Sequence, residues 1–163
     1  MRLKTFVAIL IIVVIGVIAT YLLIVKPPCL FKPAETIKVK VYFNNDRMDP
    51  EFSCNKVFPV EREIPKIQAV GRAALEELLK GSTEEEKSEG FFTSINPGVK
   101  IQKLIIENET AKVDFDEQLE FQVGGSCRVA AIRAQITETL KQFPTVNSVI
   151  ISINGRTEDI LQP

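Results

Sequence analysis

The residues of this 163-residue chain that could do chemistry fall into a few short groupings. Ser53-Cys54-Asn55-Lys56 has the S-x-x-K spacing in which a serine nucleophile meets a lysine, and Ser94-Ile95-Asn96 is an S-x-N. The K-T-G that completes such a site is missing, and Ser53 falls in a loop-like stretch, so chance spacing is the plainer reading. Asp114, Asp116 and Glu117 are of the type that forms a carboxylate pair for glycoside chemistry. Asp114 and Asp116 alternate on the outer side of a strand, however, where solvated carboxylates are the ordinary outcome. Gly124-Gly125-Ser126, with Arg128 shortly after, opens a long helix; free N–H groups there can contact an anion or a wall ligand. The competing reading is simple capping. Asp46, Asp49 and Glu51 lack the spacing and the glycine of a calcium loop.

Absences narrow the field further. The chain contains no histidine, which removes every serine or cysteine nucleophile that relies on an imidazole base. Cys29, Cys54 and Cys127 are too scattered for a zinc site. No catalytic residue, cofactor-binding residue or metal ligand is assigned. A cysteine at a helix start (Cys127) and one in a loop (Cys54) suit a disulfide, which persists only in an oxidising compartment. The alternative is two buried thiols that never meet.

These groups need elements to hold them. Val129, Ile132, Ile136, Leu140 and Phe143 recur at spacings of three and four, predicting a helix with Ser126 as N-cap and Pro144 as its stop. Val149, Ile151 and Ile153 then alternate as a strand ended by Asn154-Gly155. Upstream, Ile37, Val39, Val41 and Phe43 predict a half-buried strand, and KVFPVEREIP predicts a second at a sheet edge because of Pro59 and Pro65. Residues 67–80 predict a helix with Ile67, Val70, Ala74, Leu75 and Leu78 inside and Gly81 as its stop. Ser82 and Glu85 are in capping-box register for a short helix after it. Ile101, Leu104 and Ile106 pair with Ala111, Val113 and Phe115 in a hairpin that turns at 107–110. The resulting order, β-β-α-(α)-β-β-α-β, indicates an α+β fold: one mixed β-sheet with two main helices packed on one face.

Ahead of this domain lies an apolar segment. Residues 5–25 carry no charge and as a helix would span about 31 Å, close to a bilayer's hydrocarbon thickness. No small-residue cleavage site ends it, which favours an uncleaved N-terminal transmembrane signal-anchor (1–25) over a removed signal peptide. Residues 26–35 follow as a Pro-rich stalk, and 36–163 as the domain proper. Lys26-Pro27-Pro28 before Cys29 departs from what lipid attachment needs. Basic residues flank both ends of the span, so charge does not orient it; the cysteines favour an extracytoplasmic C-terminus. From residue 34 onward, 16 basic residues face 21 acidic ones, a net charge of −5. Nucleic acid is thereby excluded as a partner.

PVEREIP, AALEELLKGSTEEEKSEGF, SINPGVKIQKL, AKVDFDEQL and the GGS…AQITETLKQFPTVNSVIISINGR end, in that order, resemble the GerMN domain of sporulation and germination proteins over residues 37–156. The resemblance implies a non-enzymatic module of the bacterial envelope, similar in fold to ring-building domains of secretion-type complexes and found beside peptidoglycan-processing modules. The apolar segment at 5–25, read as an anchor, makes the chain a single-pass protein of the cytoplasmic membrane, where other members commonly carry a lipid anchor. A scaffold or assembly role follows, meeting an envelope protein or a second copy of itself. The alternatives are a module that binds peptidoglycan or another wall polymer through the Cys54 loop and the Gly124 opening, and a wall-modifying enzyme using the three carboxylates. The resemblance carries no catalytic residue.

Overall fold

The structure, a computed structural model, describes residues 2–24, 35–51 and 53–162, in two units, 1–34 and 35–163. In the first, the backbone is helical over α1 (Arg2–Ile24). Among the described residues no helix is long and apolar enough to cross a membrane. The transmembrane expectation for 5–25 is therefore not established by the structure. Apart from Glu35, the stalk at 26–35, with Cys29, lies outside the described residues.

In the second unit the strands divide into two sheets. β1 (Thr36–Asn45) is flanked by β2 (Phe58–Pro65) and by the two-residue β3 (Phe91–Phe92), both antiparallel. β4 (Ile101–Glu107), β5 (Thr110–Phe115) and β6 (Ser148–Ile153) form the other, with β5 antiparallel to β4 and parallel to β6. The α+β class holds, whereas the single mixed sheet does not: only the second sheet is mixed. Two helices, α2 (Val70–Leu79) and α4 (Ser126–Lys141), pack on each other; both touch β1, while α2 reaches β4 and α4 reaches β6. Between them lies the larger core, where Val41, Phe43, Leu75, Val113, Phe115, Ile132, Ile136 and Ile153 are buried together, and Val39, Ile64, Ala73 and Ala74 form a smaller buried cluster.

The reason for two sheets is written on α4. Gln135, Thr139 and Gln142 lie four and three residues apart, so they form one polar stripe along the helix. Gln135 Nε2 donates to Asn44 Oδ1 (2.7 Å), Thr139 Oγ1 accepts from the Tyr42 N–H (3.1 Å), and Gln142 Oε1 accepts from the Lys40 N–H (2.7 Å). Gln142 Nε2 returns a bond to the Lys40 carbonyl (2.6 Å). The stripe thus satisfies the backbone edge of β1 beyond the two residues that β3 covers. A strand edge left unpaired is open to pairing with another strand, and here a helix takes the place of that strand at Lys40 and Tyr42.

Local details shift by a residue or two from expectation. α2 starts at Val70, leaving Ile67 exposed, and Gly71 and Ala73 are buried in its place. Gly125, at φ +86°, takes the N-cap of α4, so Ser126 is its first helical residue and makes no capping bond. The capping box of α3 (Glu84–Ser88) uses Thr83 and Glu86, one residue later than Ser82 and Glu85. Glu86 is selected because its carboxylate also receives the Arg62 guanidinium in a two-pronged pair, one arm at 2.6 Å. In the β4–β5 hairpin, Asn108 and Glu109 both have positive φ, as a two-residue primed turn requires. A register shift between Ile101 and Lys103 accounts for the imperfect alternation of β4.

Candidate functional site

β1 ends in two asparagines that organise the loop behind it. Asn45 Oδ1 accepts from the N–H groups of Arg47 and Met48 (both 2.9 Å), and its amide donates to the Glu89 carbonyl (3.2 Å). Asn44 Nδ2 donates to the Lys56 carbonyl (3.0 Å) while its oxygen accepts from Gln135 on α4. Gln135 is fully buried, and its own oxygen accepts from Thr93 Oγ1 (2.9 Å). A segment without regular structure is fixed here by side-chain amides, each of which supplies both a donor and an acceptor.

The second fixture is covalent. Cys54 and Cys127 are joined, with S–S 2.04 Å, so the loop is bound to the first turn of α4. Within the loop, Asp49 is buried; the Ser53 hydroxyl donates to its Oδ1 (3.2 Å) and Lys56 Nζ lies 3.6 Å away. The backbone of Asp46 donates to the Gly90 carbonyl (3.1 Å), an approach close enough that a Cβ at Gly90 would meet Asp46 Oδ1 at 2.3 Å. Gly90 also has φ +94°, where a side chain is strained, and an added Cβ would in addition force the Asp46 side chain aside.

Between this loop, β3 and α4 lies a cavity of about 320 Å³. Asp46 and Asp49 border it from the loop, Phe92 and Ser94 from β3 and the residues after it, and Arg128 and Ala131 from α4, with the disulfide in the wall. Arg128 is held by three neutral acceptors: the Asn96 Oδ1 (2.6 Å) and the carbonyls of Ser94 and Gln122 (both 3.3 Å). Among the described residues no carboxylate pairs with it, and none of the cations pairs with Asp46. One cation and one anion, each without a counter-ion among the described residues, thus border the same space. A wider depression of about 440 Å³ by Arg72, Glu76 and Lys100 gathers no comparable set.

The sequence candidates distribute unevenly over this geometry. Ser53 and Ser94, from two motifs that looked accidental, border one cavity, yet the Ser53 hydroxyl is bonded to Asp49 and Lys56 approaches Asp49 instead. Of Gly124, Gly125, Ser126 and Arg128, only Arg128 borders it; Gly124 and Gly125 stand exposed, with nothing near an added Cβ. Asp114, Asp116 and Glu117 lie apart from it, at the end of β5, and each is committed. Asp114 Oδ1 accepts from Ser152 Oγ (2.6 Å) and the Gly155 N–H (2.8 Å), and Asp116 Oδ1 from the Lys100 N–H (3.0 Å). Glu117 accepts from Asn154 Nδ2 (3.0 Å), which holds its carboxyl below the ordinary carboxylate range, opposite to what a general acid needs. Among the described residues no cluster of acidic or cysteine side chains is arranged to hold a metal ion. Asn44, Asn45 and Gln135, which shape the cavity, carried no signal in the sequence beyond their polarity.

Residues 40–159 match the family described as Germane, sporulation and spore germination, and the chain belongs to that family. The fold is similar to that of solved structures. Against the tandem GerMN domains of the sporulation protein GerM from Bacillus subtilis it gives a TM-score of 0.58 at 21% identity, covering 76% of this chain and 41% of that one. Against the first GerMN domain of GerM alone the values are 0.54 and 20%, covering 74% and 85%. A Clostridium perfringens protein designated a lipoprotein gives 0.50 at 17% identity, covering 78% and 80%. The chain therefore spans less than half of the tandem-domain protein. No curated protein matches it.

Proposed function

We propose that the chain is an envelope module that works by contact: a GerMN domain displayed outside the cytoplasmic membrane, anchored through residues 5–25, with no reaction of its own. The observation that carries this reading is the closed Cys54–Cys127 bond, because a structural disulfide persists in an oxidising compartment. The uncharged stretch at 5–25 supports the anchor, as its length suits a bilayer when helical. The commitment of Asp114, Asp116 and Glu117 to hydrogen bonds within the fold supports a non-enzymatic role. The partner is an envelope protein or a second copy of the chain, and the module acts as a scaffold or assembly domain.

A second reading, binding of peptidoglycan or another wall polymer, is favoured by the cavity beside the Cys54 loop. Cross-linking in intact membranes followed by identification of the adducts tests the first reading; a chain that yields only unlinked monomer contradicts it. Retention on purified sacculi tests the second, and its absence removes wall binding.

A further inference from the structure

The cavity has a composition that specifies a ligand more closely than the proposed contact role does, and the inference rests on that role being a binding one. Its volume of about 320 Å³ lies at the small end of ligand pockets. Phe92, 41% exposed, and Ala131 give it apolar wall, and the disulfide adds more. On one side stands the Asp46 carboxylate, exposed and without a cation among the described residues. On the helix side stands the Arg128 guanidinium, whose three described bonds go to neutral oxygens and leave two of its five N–H groups. Ser94 also lines the cavity.

We infer that this cavity binds a short peptide bearing one free amine and one free carboxylate, the amine meeting Asp46 and the carboxylate meeting Arg128. A ligand with a single charge would leave one of the two protein charges unneutralised, and a purely apolar one would strand both. A zwitterion of dipeptide size satisfies both and places its Cα-bound groups on Phe92. Asp49 is the poorer partner for the amine, because it is buried and the Ser53 hydroxyl and Lys56 already share its charge, whereas Asp46 is exposed. The Asn44–Gln135–Thr93 bonds and the disulfide hold the walls before the ligand arrives, so little ordering is left to oppose binding.

Calorimetric titration of the full chain in detergent micelles with alanyl-alanine tests this, with N-acetyl-alanyl-alanine and alanyl-alanine amide as probes lacking one charge each. Saturable binding of the zwitterion, weakened roughly tenfold or more by either blocking group, is the expected result. Asp46→Asn, which keeps the side chain's shape, should weaken the zwitterion by a similar factor without lowering the melting temperature. No binding of the zwitterion, or equal binding of all three peptides, overturns the inference, as does unchanged binding by Asp46→Asn. The blocked peptides decide the matter even if the variant folds poorly. Competition of the free dipeptide against retention on purified sacculi separates a wall-borne peptide from a soluble one. Loss of dipeptide binding with membrane cross-links intact would refute this inference and leave the contact role standing.

Discussion

Replacing Cys54 and Cys127 together by serine removes the covalent fixture of the cavity loop, and the size of the effect follows from the chain it closes. The two cysteines are 73 residues apart in sequence. In the chain-entropy treatment a loop of that length costs the unfolded state about 4 kcal/mol less when it is open, so the double variant should lose about that much stability. For a domain of this size this corresponds to a fall in melting temperature on the order of 10–20 °C. Urea unfolding of the oxidised wild type, the wild type with reductant and the Cys54→Ser/Cys127→Ser variant provides the assay. The reduced wild type and the variant should unfold at similarly lowered midpoints, with a steeper slope than the oxidised wild type because the uncrosslinked unfolded chain exposes more surface. A loss below about 1 kcal/mol would refute the reasoning, since it would mean that the asparagine bonds alone fix the loop. A second signature separates local from global effects: amides of 46–57 should lose exchange protection before those of β5.

The remaining predictions concern single side chains. Gln135→Leu should cost about 1–3 kcal/mol by urea titration, because it strands the Asn44 oxygen and the Thr93 hydroxyl in a buried setting. Gly90→Ala should cost about 2 kcal/mol or more, from positive φ and from the collision with Asp46. The Arg62 hydrogen bonds hold the Glu86 carboxyl below its ordinary value, helped by Thr83. Its stabilisation is therefore full above the unfolded carboxylate value and is lost as pH falls through the lower folded one. Glu86→Gln should flatten that acid limb and cost about 2 kcal/mol at neutral pH, read by melting across a pH series. Asp114→Asn should lower stability slightly and leave function in cells unchanged; loss of function with an intact fold would point back to carboxylate chemistry.

Much of the fold was legible because apolar spacing reports burial directly. Val129, Ile132, Ile136 and Leu140 announce the core face of α4, and Ala111, Val113 and Phe115 that of β5; all are buried. The division into two sheets was not legible, because it depends on a polar stripe, Gln135, Thr139 and Gln142, whose residue types ordinarily signal solvent. Polar residues that satisfy a distant backbone edge look the same in sequence as polar residues that face water. β3 is only Phe91–Phe92, too short for any period to show. The capping box slipped by one because STEEE contains both S-x-x-E and T-x-x-E; Arg62, 24 residues earlier in the chain than Glu86, decides between them. At the site, cysteine types foretold which elements meet, but the cavity between them depends on Asn44, Asn45 and Asp46 at the end of a strand, where loop composition says nothing about enclosure.

Protease added to intact cells freed of their wall tests most directly the claim that this domain is displayed beyond the membrane. Digestion of 35–163 without lysis, with Cys54 and Cys127 resistant to alkylation until reductant is added, is the result expected of an exported, bridged domain. A domain protected until the membrane is broken, carrying two freely alkylated thiols, would contradict it.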